Sequence, residues 1–250
     1  MSCESPLFGE KVIYKAICSS TNTLALHLLN TDKVPEGTVV ITDYQYKGKG
    51  QRGNVWISES YKNITFSLIL YPTFLAVQKN FALNIITTLA IQQVLASYIP
   101  SGLTIKWPND VYYKNQKLSG VLIESIVDGS YIRASVIGIG LNVNQERFAL
   151  STPTSLVLVC KRTFSLTNLL VQLLDVLKIN YIQLREQGIA PLKEAYLKNL
   201  YWINESHTFR DQTQTFQGII RDIDAIGRLM IEQKDGTTKH YDRKEIAFIA

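Results

Sequence analysis

The sequence Lys106-Trp107-Pro108-Asn109-Asp110, followed by Lys117-Leu118-Ser119-Gly120, is the part of the chain that says most about its fold. The proline fixes a turn and restricts the tryptophan before it to extended backbone geometry. The tryptophan supplies a flat apolar face, and the asparagine and aspartate after it can orient polar groups or hold a metal-bound phosphate. An ordinary turn beside a core tryptophan is the alternative interpretation of the same residues.

Lys117 begins the second of these segments. It follows a predicted hairpin turn at residues 114–116 and opens a strand rich in apolar residues. A lysine at such an edge can reach into a cleft, where its ammonium group would neutralise an anionic ligand. The alternative is a solvated lysine, which is the usual state of an isolated lysine.

A glycine-rich loop precedes these segments, with the sequence Gly48-Lys49-Gly50-Gln51-Arg52-Gly53. Glycine lets the backbone approach an anion closely, and backbone N–H groups together with the cations Lys49 and Arg52 can cradle a phosphate or a carboxylate. The Gly-Lys-Ser/Thr ending of the nucleotide-binding P-loop is missing, and no helix is predicted to follow as in a dinucleotide-binding fingerprint. A flexible surface loop is the alternative.

A second glycine pair lies inside a predicted strand, in Gly138-Ile139-Gly140-Leu141-Asn142. Glycine weakens a strand and often marks the close approach of a ligand. Asn142 could bond a ribose or a phosphate at this point.

Hydrophobic periodicity predicts an N-terminal unit of strands and helices over residues 1–203 and a small all-β unit over residues 204–250. Asp128-Gly129 predicts a hairpin, and Thr154 and Ser165 are predicted to cap two helices. The second helix should end at Gly188, and Pro191 should open a third. The other predicted strands span residues 11–17, 38–42, 64–71, 104–107, 111–113, 118–127, 130–142, 215–221, 227–233 and 237–241, and the other predicted helices span residues 83–98 and a segment that starts near residues 19–22.

The composition is that of a globular protein, with 46% hydrophobic and 19% charged residues in 250. Its apolar runs are too short and too interrupted for a membrane span. The cysteines Cys3, Cys18 and Cys160 have no metal or disulfide spacing, so we expect a reducing, cytoplasmic setting. The net charge is +5, to which residues 204–250 contribute −1 (seven Lys/Arg, eight Asp/Glu). This excess suits phosphates or an acidic protein partner, and no Lys/Arg run is dense enough to predict DNA binding.

In this order the motifs resemble those of the biotin–protein ligases. The resemblance covers nearly the whole chain. It rests on Ser20-Thr21-Asn22, Gln45 with the glycine-rich loop, Trp56, Lys106 to Asp110, Lys117 to Gly120, Gly138 to Asn142 and, in the last unit, Gly218, Asp222, Ile223 and Gly227-Arg228-Leu229. It implies an α+β fold with a mixed β-sheet flanked by helices, like class II synthetases, and a small C-terminal SH3-like β-barrel.

The resemblance also implies roles for individual residues. The implied catalytic residues are Lys117, Lys49 and Arg52. The implied biotin-binding residues are Ser20, Thr21, Asn22, Gln45, Gly48, Lys49, Gly50, Gln51, Lys117 and Gly120. The implied ATP-binding residues are Arg52, Trp56, Asn109, Asp110, Lys117 and Asn142, and Asp110 would also face a magnesium ion carried by the phosphates. The family loop usually carries arginine at the position of Gln51, and Arg52 or Lys49 could take its place.

The implied function is adenylation of biotin with ATP and transfer of biotin to one lysine of a biotin carboxyl carrier protein. Lipoate or octanoate ligases share the fold and are one alternative, and a biotin-binding protein with impaired catalysis is another. A nucleic-acid-binding module is disfavoured by the charge of the last 47 residues. The motifs begin at Ser20, so we expect no DNA-binding domain ahead of them. Homodimerisation is open.

Overall fold

The structure, a computed structural model, describes residues 8–31 and 33–249, and of Arg52 it describes the backbone only. Cys3 lies outside the described residues. The described chain forms two β-sheets with helices packed against the larger one. Among the described residues, no helix is both long and apolar enough to cross a lipid bilayer.

The larger sheet is mixed and has seven strands. They are β1 (Val12–Cys18), β2 (Val39–Gln45), β3 (Ile64–Leu70), β4 (Leu103–Lys106), β5 (Asp110–Tyr113), β6 (Gln116–Asp128) and β7 (Tyr131–Leu141), in the spatial order β1-β2-β3-β7-β6-β5-β4. Strands β1 and β2 are parallel and are connected through helix α1 (Thr21–Thr31), whereas the other neighbours pair antiparallel. The predicted mixed sheet and the Asp128-Gly129 hairpin are confirmed.

Helices cover both faces of this sheet, because successive strand residues point to opposite sides. Val39 and Leu68 pack into the main core together with α2 (Phe81–Ala96), α4 (Leu166–Gln187) and α5 (Ala190–Lys198). Val40 and Ile69 face the other way and pack with residues of α1. The α1 face is therefore covered only where α1 lies, and the functional site described below occupies the rest of it.

Three predicted helix ends are confirmed, whereas the helix predicted over residues 83–98 lies two residues earlier, at Phe81–Ala96. Ser165 caps α4 by accepting a hydrogen bond from the backbone N–H of Asn168 at 3.3 Å, and Gly188 ends that helix with a φ of +76°. Pro191 lies in the first turn of α5. Thr154 was predicted as the cap of α3 (Leu156–Cys160) and this is wrong by one residue, since Ser155 holds the cap position with extended backbone.

The C-terminal sheet has five antiparallel strands. They are β8 (Ser206–Arg210), β9 (Thr215–Ile223), β10 (Leu229–Gln233), β11 (Thr238–Tyr241) and β12 (Ala247–Ile249), in the order β11-β10-β9-β8-β12. The sequence predicted β9, β10 and β11 and missed β8 and β12, which lack a clear alternation of apolar and polar residues. A domain boundary at residues 203/204 stays a prediction, because one apolar core runs from the first sheet into the second.

A turn between β9 and β10 attaches the small sheet to the large one. Gly227 adopts a φ of +89°, and its carbonyl oxygen accepts a hydrogen bond from the indole Nε1 of Trp107 at 2.9 Å. A Cβ atom at Gly227 would lie 2.1 Å from Cγ of Phe81. Close by, Lys193 of α5 pairs with Asp222 of β9 at 2.8 Å. The motif around Trp107 is thus in direct contact with the C-terminal sheet.

Candidate active site

A polar cavity of about 180 Å³ opens on the α1 face of the seven-stranded sheet, beside the first residues of α1. Residues from three connecting segments, from the start of α1 and from strands β2, β3, β5, β6 and β7 meet there. The lining residues are Ser20, Thr21, Asn22, Gln45, Lys49, Gly50, Gln51, Asn54, Val55, Trp56, Thr65, Asn109, Asp110, Lys117, Gly120, Val121, Leu122, Gly138, Ile139 and Gly140.

Small residues on the sheet create the room for this cavity. Farther along the same face of β7, Val136 packs with the α1 residues, whereas Gly138 and Gly140 carry no side chain. A Cβ atom at Gly138 would lie 2.1 Å from Oδ1 of Asn22, and one at Gly140 would lie 2.3 Å from Cε2 of Trp56. The two strand glycines therefore allow Asn22 and Trp56 to lie directly over the sheet.

The end of the cavity next to Asn22 is a network of buried polar side chains. Gln45 accepts hydrogen bonds at Oε1 from the backbone N–H of Thr21 at 2.7 Å and from its hydroxyl at 3.2 Å. The Ser67 hydroxyl lies 2.7 Å from Oγ1 of Thr21 and 2.6 Å from Oδ1 of Asn22. Asn22 in turn donates to Glu124 at 2.8 Å. Because Thr21, Asn22 and Ser67 are withdrawn from water and the network holds its members in place, this end can recognise a polar ring system.

The glycine-rich loop forms a short, closed turn over the cavity. Lys49 and Val55 are bridged antiparallel, and Gly50 donates from its N–H to the carbonyl of Asn54 at 2.7 Å. The Trp56 N–H donates to the carbonyl of Gly48 at 3.0 Å, where a Cβ atom would lie 2.2 Å from the Trp56 carbonyl oxygen. Gly48 is therefore required for the closure of the loop, although it does not itself line the cavity.

The charged end of the cavity contains Lys117 and Asp110. Lys117 Nζ lies 2.7 Å from Asp110 Oδ1 and 5.7 Å from the ring centroid of Trp56. Burial raises the pKa of Asp110, and the nearby ammonium groups of Lys117 and Lys106 oppose that rise. A lysine held by an aspartate beside an indole face presents a positioned cation to an anionic ligand.

Lys106 is a second cation near Asp110, but it lies in an aromatic cluster. Its Nζ is 4.8 Å from the ring centroid of Tyr112, 5.2 Å from that of Tyr201 and 5.1 Å from that of Phe248. Burial lowers the pKa of Lys106, and the charge of Asp110 partly offsets this effect. Such cation–π contacts stabilise the ammonium group where water is scarce.

Most of the predicted site residues are brought together, with three exceptions. Gly48 lies behind the cavity, and the side chain of Arg52 is outside the described part of the chain. Asn142 is buried beneath the surface, where it donates to the carbonyl of Thr154 at 3.0 Å, and its Oδ1 has no partner among the described residues. Asn109 lines the cavity, but its amide nitrogen donates to the carbonyl of Val121 and so fixes the motif to β6.

Sequence reasoning missed Ser67 and Glu124 as contributors to the site. The serine carries the one signal that could have found it, because it is a polar residue in the apolar strand Ile64–Leu70. Strand pairing brings Ser67 opposite Gly138, and Gly138 opposite Leu122. These neighbours are far apart in sequence, so no local pattern connects them.

The described residues contain no cluster of three or more His, Cys, Asp or Glu side chains that could hold a metal ion. The cavity offers Asp110, which already pairs with Lys117. This donor set does not fit a metal held by the protein alone. It fits an ion that arrives with the phosphates of a nucleotide, since Mg²⁺ commonly binds through one or two carboxylates plus substrate phosphates.

Comparisons with known proteins identify the family. Residues 14–142 match the biotin/lipoate A/B protein ligase family, and residues 203–246 match the biotin protein ligase C-terminal domain. The bifunctional ligase/repressor BirA of Bacillus spizizenii is 30% identical over 243 residues, which cover 95% of this chain and 74% of the relative. The biotin–[acetyl-CoA-carboxylase] ligase of Paracoccus denitrificans is 28% identical, over 87% of this chain and 92% of the relative.

A solved structure shares the fold. The biotin protein ligase from Aquifex aeolicus in complex with biotin and ATP superimposes with a TM-score of 0.79. The two chains are 23% identical, and the match covers 95% of this chain and 98% of the other.

Proposed function

From the premise that this chain belongs to the biotin/lipoate A/B protein ligase family, we propose that it activates biotin with ATP and transfers it to a lysine of an acceptor protein. The observation that carries the proposal is one cavity with a polar end at Thr21, Asn22 and Gln45 and a cationic end at Lys117. The first suits the ureido ring of biotin, and the second suits its carboxylate and a phosphate.

The distance between the two ends fits one small molecule. Asn22 lies over Gly138, whereas Lys117 and Trp56 lie next to Gly120, which pairs with Gly140 across β6 and β7. Gly138 and Gly140 are two residues apart along β7, which corresponds to a distance of about 7 Å between the two ends of the cavity. A ring bound at one end would therefore place a short acid chain at the other.

The first half-reaction joins two anions, so it depends on charge neutralisation and alignment. A carboxylate oxygen of biotin attacks the α-phosphorus of ATP, an acyl–phosphate bond forms, and pyrophosphate leaves with the electrons of the broken P–O bond. Lys117 neutralises the charge on the oxygens around the reacting atoms, with Lys49 at the mouth of the cavity. ATP would enter as its magnesium complex, and the ion would offset part of the phosphate charge.

The second half-reaction transfers the acyl group. A neutral lysine amine of the acceptor attacks the biotinyl carbonyl, an amide forms, AMP leaves, and the amine loses one proton to solvent. The mixed anhydride would hydrolyse if water reached it. The closed glycine-rich loop with Trp56 covers the cavity and so limits that loss.

The assignments of individual residues belong to this proposal. Biotin is assigned to the side of Ser20, Thr21, Asn22 and Gln45, and ATP to the side of Trp56 and Asp110. The acceptor is the biotin carboxyl carrier domain of a carboxylase. Homodimerisation stays a prediction.

A transfer assay tests the proposal. The protein, ATP, Mg²⁺ and labelled biotin are incubated with a biotin carboxyl carrier domain and, in parallel, with the same domain whose acceptor lysine is changed to arginine. Label should appear on the lysine form only. Label on neither form, with pyrophosphate released only when biotin is present, would mean that the activation step occurs and that the acceptor assignment is wrong.

A further inference from the structure

Glu124 lies at the back of the polar end of the cavity and fixes the orientation of Asn22. Its Oε2 accepts a hydrogen bond from Asn22 Nδ2 at 2.8 Å, and the carbonyl of Leu122 accepts from the same nitrogen at 3.2 Å. A carboxylate and a carbonyl can only accept hydrogen bonds. The amide of Asn22 must therefore direct its nitrogen to β6, and its oxygen is left for Ser67.

The proton of Ser67 is assigned by that orientation. The Ser67 hydroxyl lies 2.6 Å from Oδ1 of Asn22 and 2.7 Å from Oγ1 of Thr21, and a hydroxyl carries one proton. Because Oδ1 can only accept, Ser67 donates to Asn22. In the hydrogen bond between the two hydroxyls, Thr21 must then be the donor and Ser67 the acceptor.

Thr21 consequently faces the cavity as an acceptor. Its proton goes to Ser67 at 2.7 Å or to Oε1 of Gln45 at 3.2 Å, and both partners belong to the protein. Gln45 Oε1 is itself fixed, because it accepts the backbone N–H of Thr21 at 2.7 Å. The amide nitrogen of Gln45 is thus left as a hydrogen-bond donor, next to the hydroxyl oxygen of Thr21, which is an acceptor.

An acceptor beside a donor is the complement of a cyclic urea, which carries an N–H next to a C=O. A dithiolane ring or an alkyl chain has neither group. Ser67 has no exposed surface and Thr21 and Asn22 are 3% exposed, so water does not compensate an incorrect hydrogen-bond pattern. A site built to bond such groups discriminates strongly against analogues that lack them.

We propose that Glu124 is a positioning residue that sets the donor and acceptor pattern of the cavity through Asn22 and Ser67, and that this pattern specifies a cyclic urea. The inference rests on the proposed function, because it concerns how that function selects its acid. Glu124 does not touch the ligand; it acts through Asn22.

The test is steady-state adenylation by the full chain, followed as pyrophosphate release with biotin or ATP varied. Glu124→Ala should raise the KM for biotin about tenfold, the value of one buried hydrogen bond, and leave kcat and the KM for ATP within twofold of wild type. Glu124→Gln can still accept from Asn22 through its amide oxygen, so it should restore most of the biotin affinity.

Two further variants separate positioning from general damage. Ser67→Ala should show the same rise in biotin KM, and the double variant should be no worse than either single one, because both act through one relay. Glu36 is the matched control. Its carboxylate accepts from the Tyr71 N–H and the Tyr181 hydroxyl, both at 2.7 Å, away from the cavity. Glu36→Ala should lower the melting temperature without changing the biotin KM.

A biotin KM unchanged in folded Glu124→Ala, or a parallel rise in the ATP KM, would overturn the inference. If Glu124→Ala does not fold, the Ser67→Ala result decides. Wild-type protein that adenylates no biotin would instead contradict the proposed function, which keeps the two failures distinguishable.

Discussion

Lys117 Nζ lies 2.7 Å from Asp110 Oδ1, although seven residues and a strand turn separate them in the chain. The contact joins the two sequence motifs Lys106 to Asp110 and Lys117 to Gly120. It also places a fixed ammonium group beside Gly120, on the floor of the cavity. The chemistry proposed here depends on that cation.

Replacement of Lys117 by alanine should lower kcat/KM for adenylation by a factor of about 10²–10³, the usual effect of removing one positioned charge-stabilising group. Pyrophosphate release measures it. Lys198→Ala is the matched control, because Lys198 also forms an ion pair, with Glu194 at 2.7 Å, on an exposed helix face. The control should keep wild-type activity. Near-wild-type adenylation by Lys117→Ala would show that the assignment of this residue is wrong.

Trp56 should serve the nucleotide through its aromatic face. Trp56→Ala is expected to raise the KM for ATP about 5- to 150-fold, since loss of a stacking ring costs about 1–3 kcal/mol per base. Trp56→Phe keeps an aromatic ring over Gly120 and should cost less. Gly140→Ala tests the same contact from the other side, because the added Cβ would lie 2.3 Å from Cε2 of Trp56 and must displace the indole.

Equal ATP KM values in wild type, Trp56→Ala and Gly140→Ala would remove Trp56 from the nucleotide site. Tryptophan fluorescence of Gly140→Ala provides a check that the indole has moved.

Gly227 is expected to be far less tolerant of substitution than Gly236, although both have positive φ angles, +89° and +80°. An alanine at either position bears the left-handed backbone cost of about 1–2 kcal/mol. At Gly227 the new Cβ also meets Phe81 at 2.1 Å, whereas nothing lies within 4 Å at Gly236. Overpacking adds about 1–3 kcal/mol to the loss in the free energy of unfolding for Gly227→Ala.

Gly227→Ala should also raise the KM for ATP, because its carbonyl holds the indole of Trp107 three residues before Asp110. Chemical denaturation and ATP titration of the two variants measure both effects. A Gly227→Ala variant that loses stability but keeps the wild-type ATP KM would show that the C-terminal sheet does not position the motif.

The turn that carries Gly227 should be sensitive to acid through Asp224. Burial by itself would raise the pKa of Asp224, but hydrogen bonds from His240, Arg228 and the backbone N–H of Ile226 outweigh it and lower that pKa below its ordinary value. A lowered pKa in the folded state means that the carboxylate stabilises the fold above about pH 4, and that this contribution is lost as pH falls further.

Asp224→Asn should therefore be about 2 kcal/mol less stable than wild type at pH 7, with a difference that shrinks below about pH 4. Urea denaturation across the pH range measures it. Asp235→Asn is the control, because Asp235 forms a similar turn with Thr237 at an exposed hairpin end, where a smaller difference is expected. A stability difference for Asp224→Asn that is constant from pH 7 to pH 3 would contradict the assignment.

The sequence predicted well what local chemistry determines. Asp128-Gly129 made a hairpin, and Ser165 and Gly188 bounded α4. The mixed sheet was implied by the resemblance to a known family and not by any one local pattern. Lys117 and Asp110 were expected in one site because of the resemblance, and the short antiparallel pairing of β5 and β6 is what brings them together.

The sequence could not predict what depends on pairing between distant strands. Glu124 reaches Asn22 across 102 residues, and only the register of β3, β7 and β6 brings them together. The attachment of Gly227 to Trp107 spans 120 residues and has no local pattern. Asn142 followed two strand glycines in the sequence, but its side chain donates to Thr154 beneath the cavity.

The most direct test of the central claim is adenylate formation by the wild-type chain with ATP, Mg²⁺ and biotin, with lipoate in a parallel reaction. Pyrophosphate release and mass spectrometry of the acyl-AMP identify the product. We expect biotinyl-AMP with biotin and at least a hundredfold less product with lipoate, because a dithiolane would leave the buried polar groups of the site unpaired. Lipoyl-AMP formed at a comparable rate, or no adenylate from biotin, would contradict the central claim.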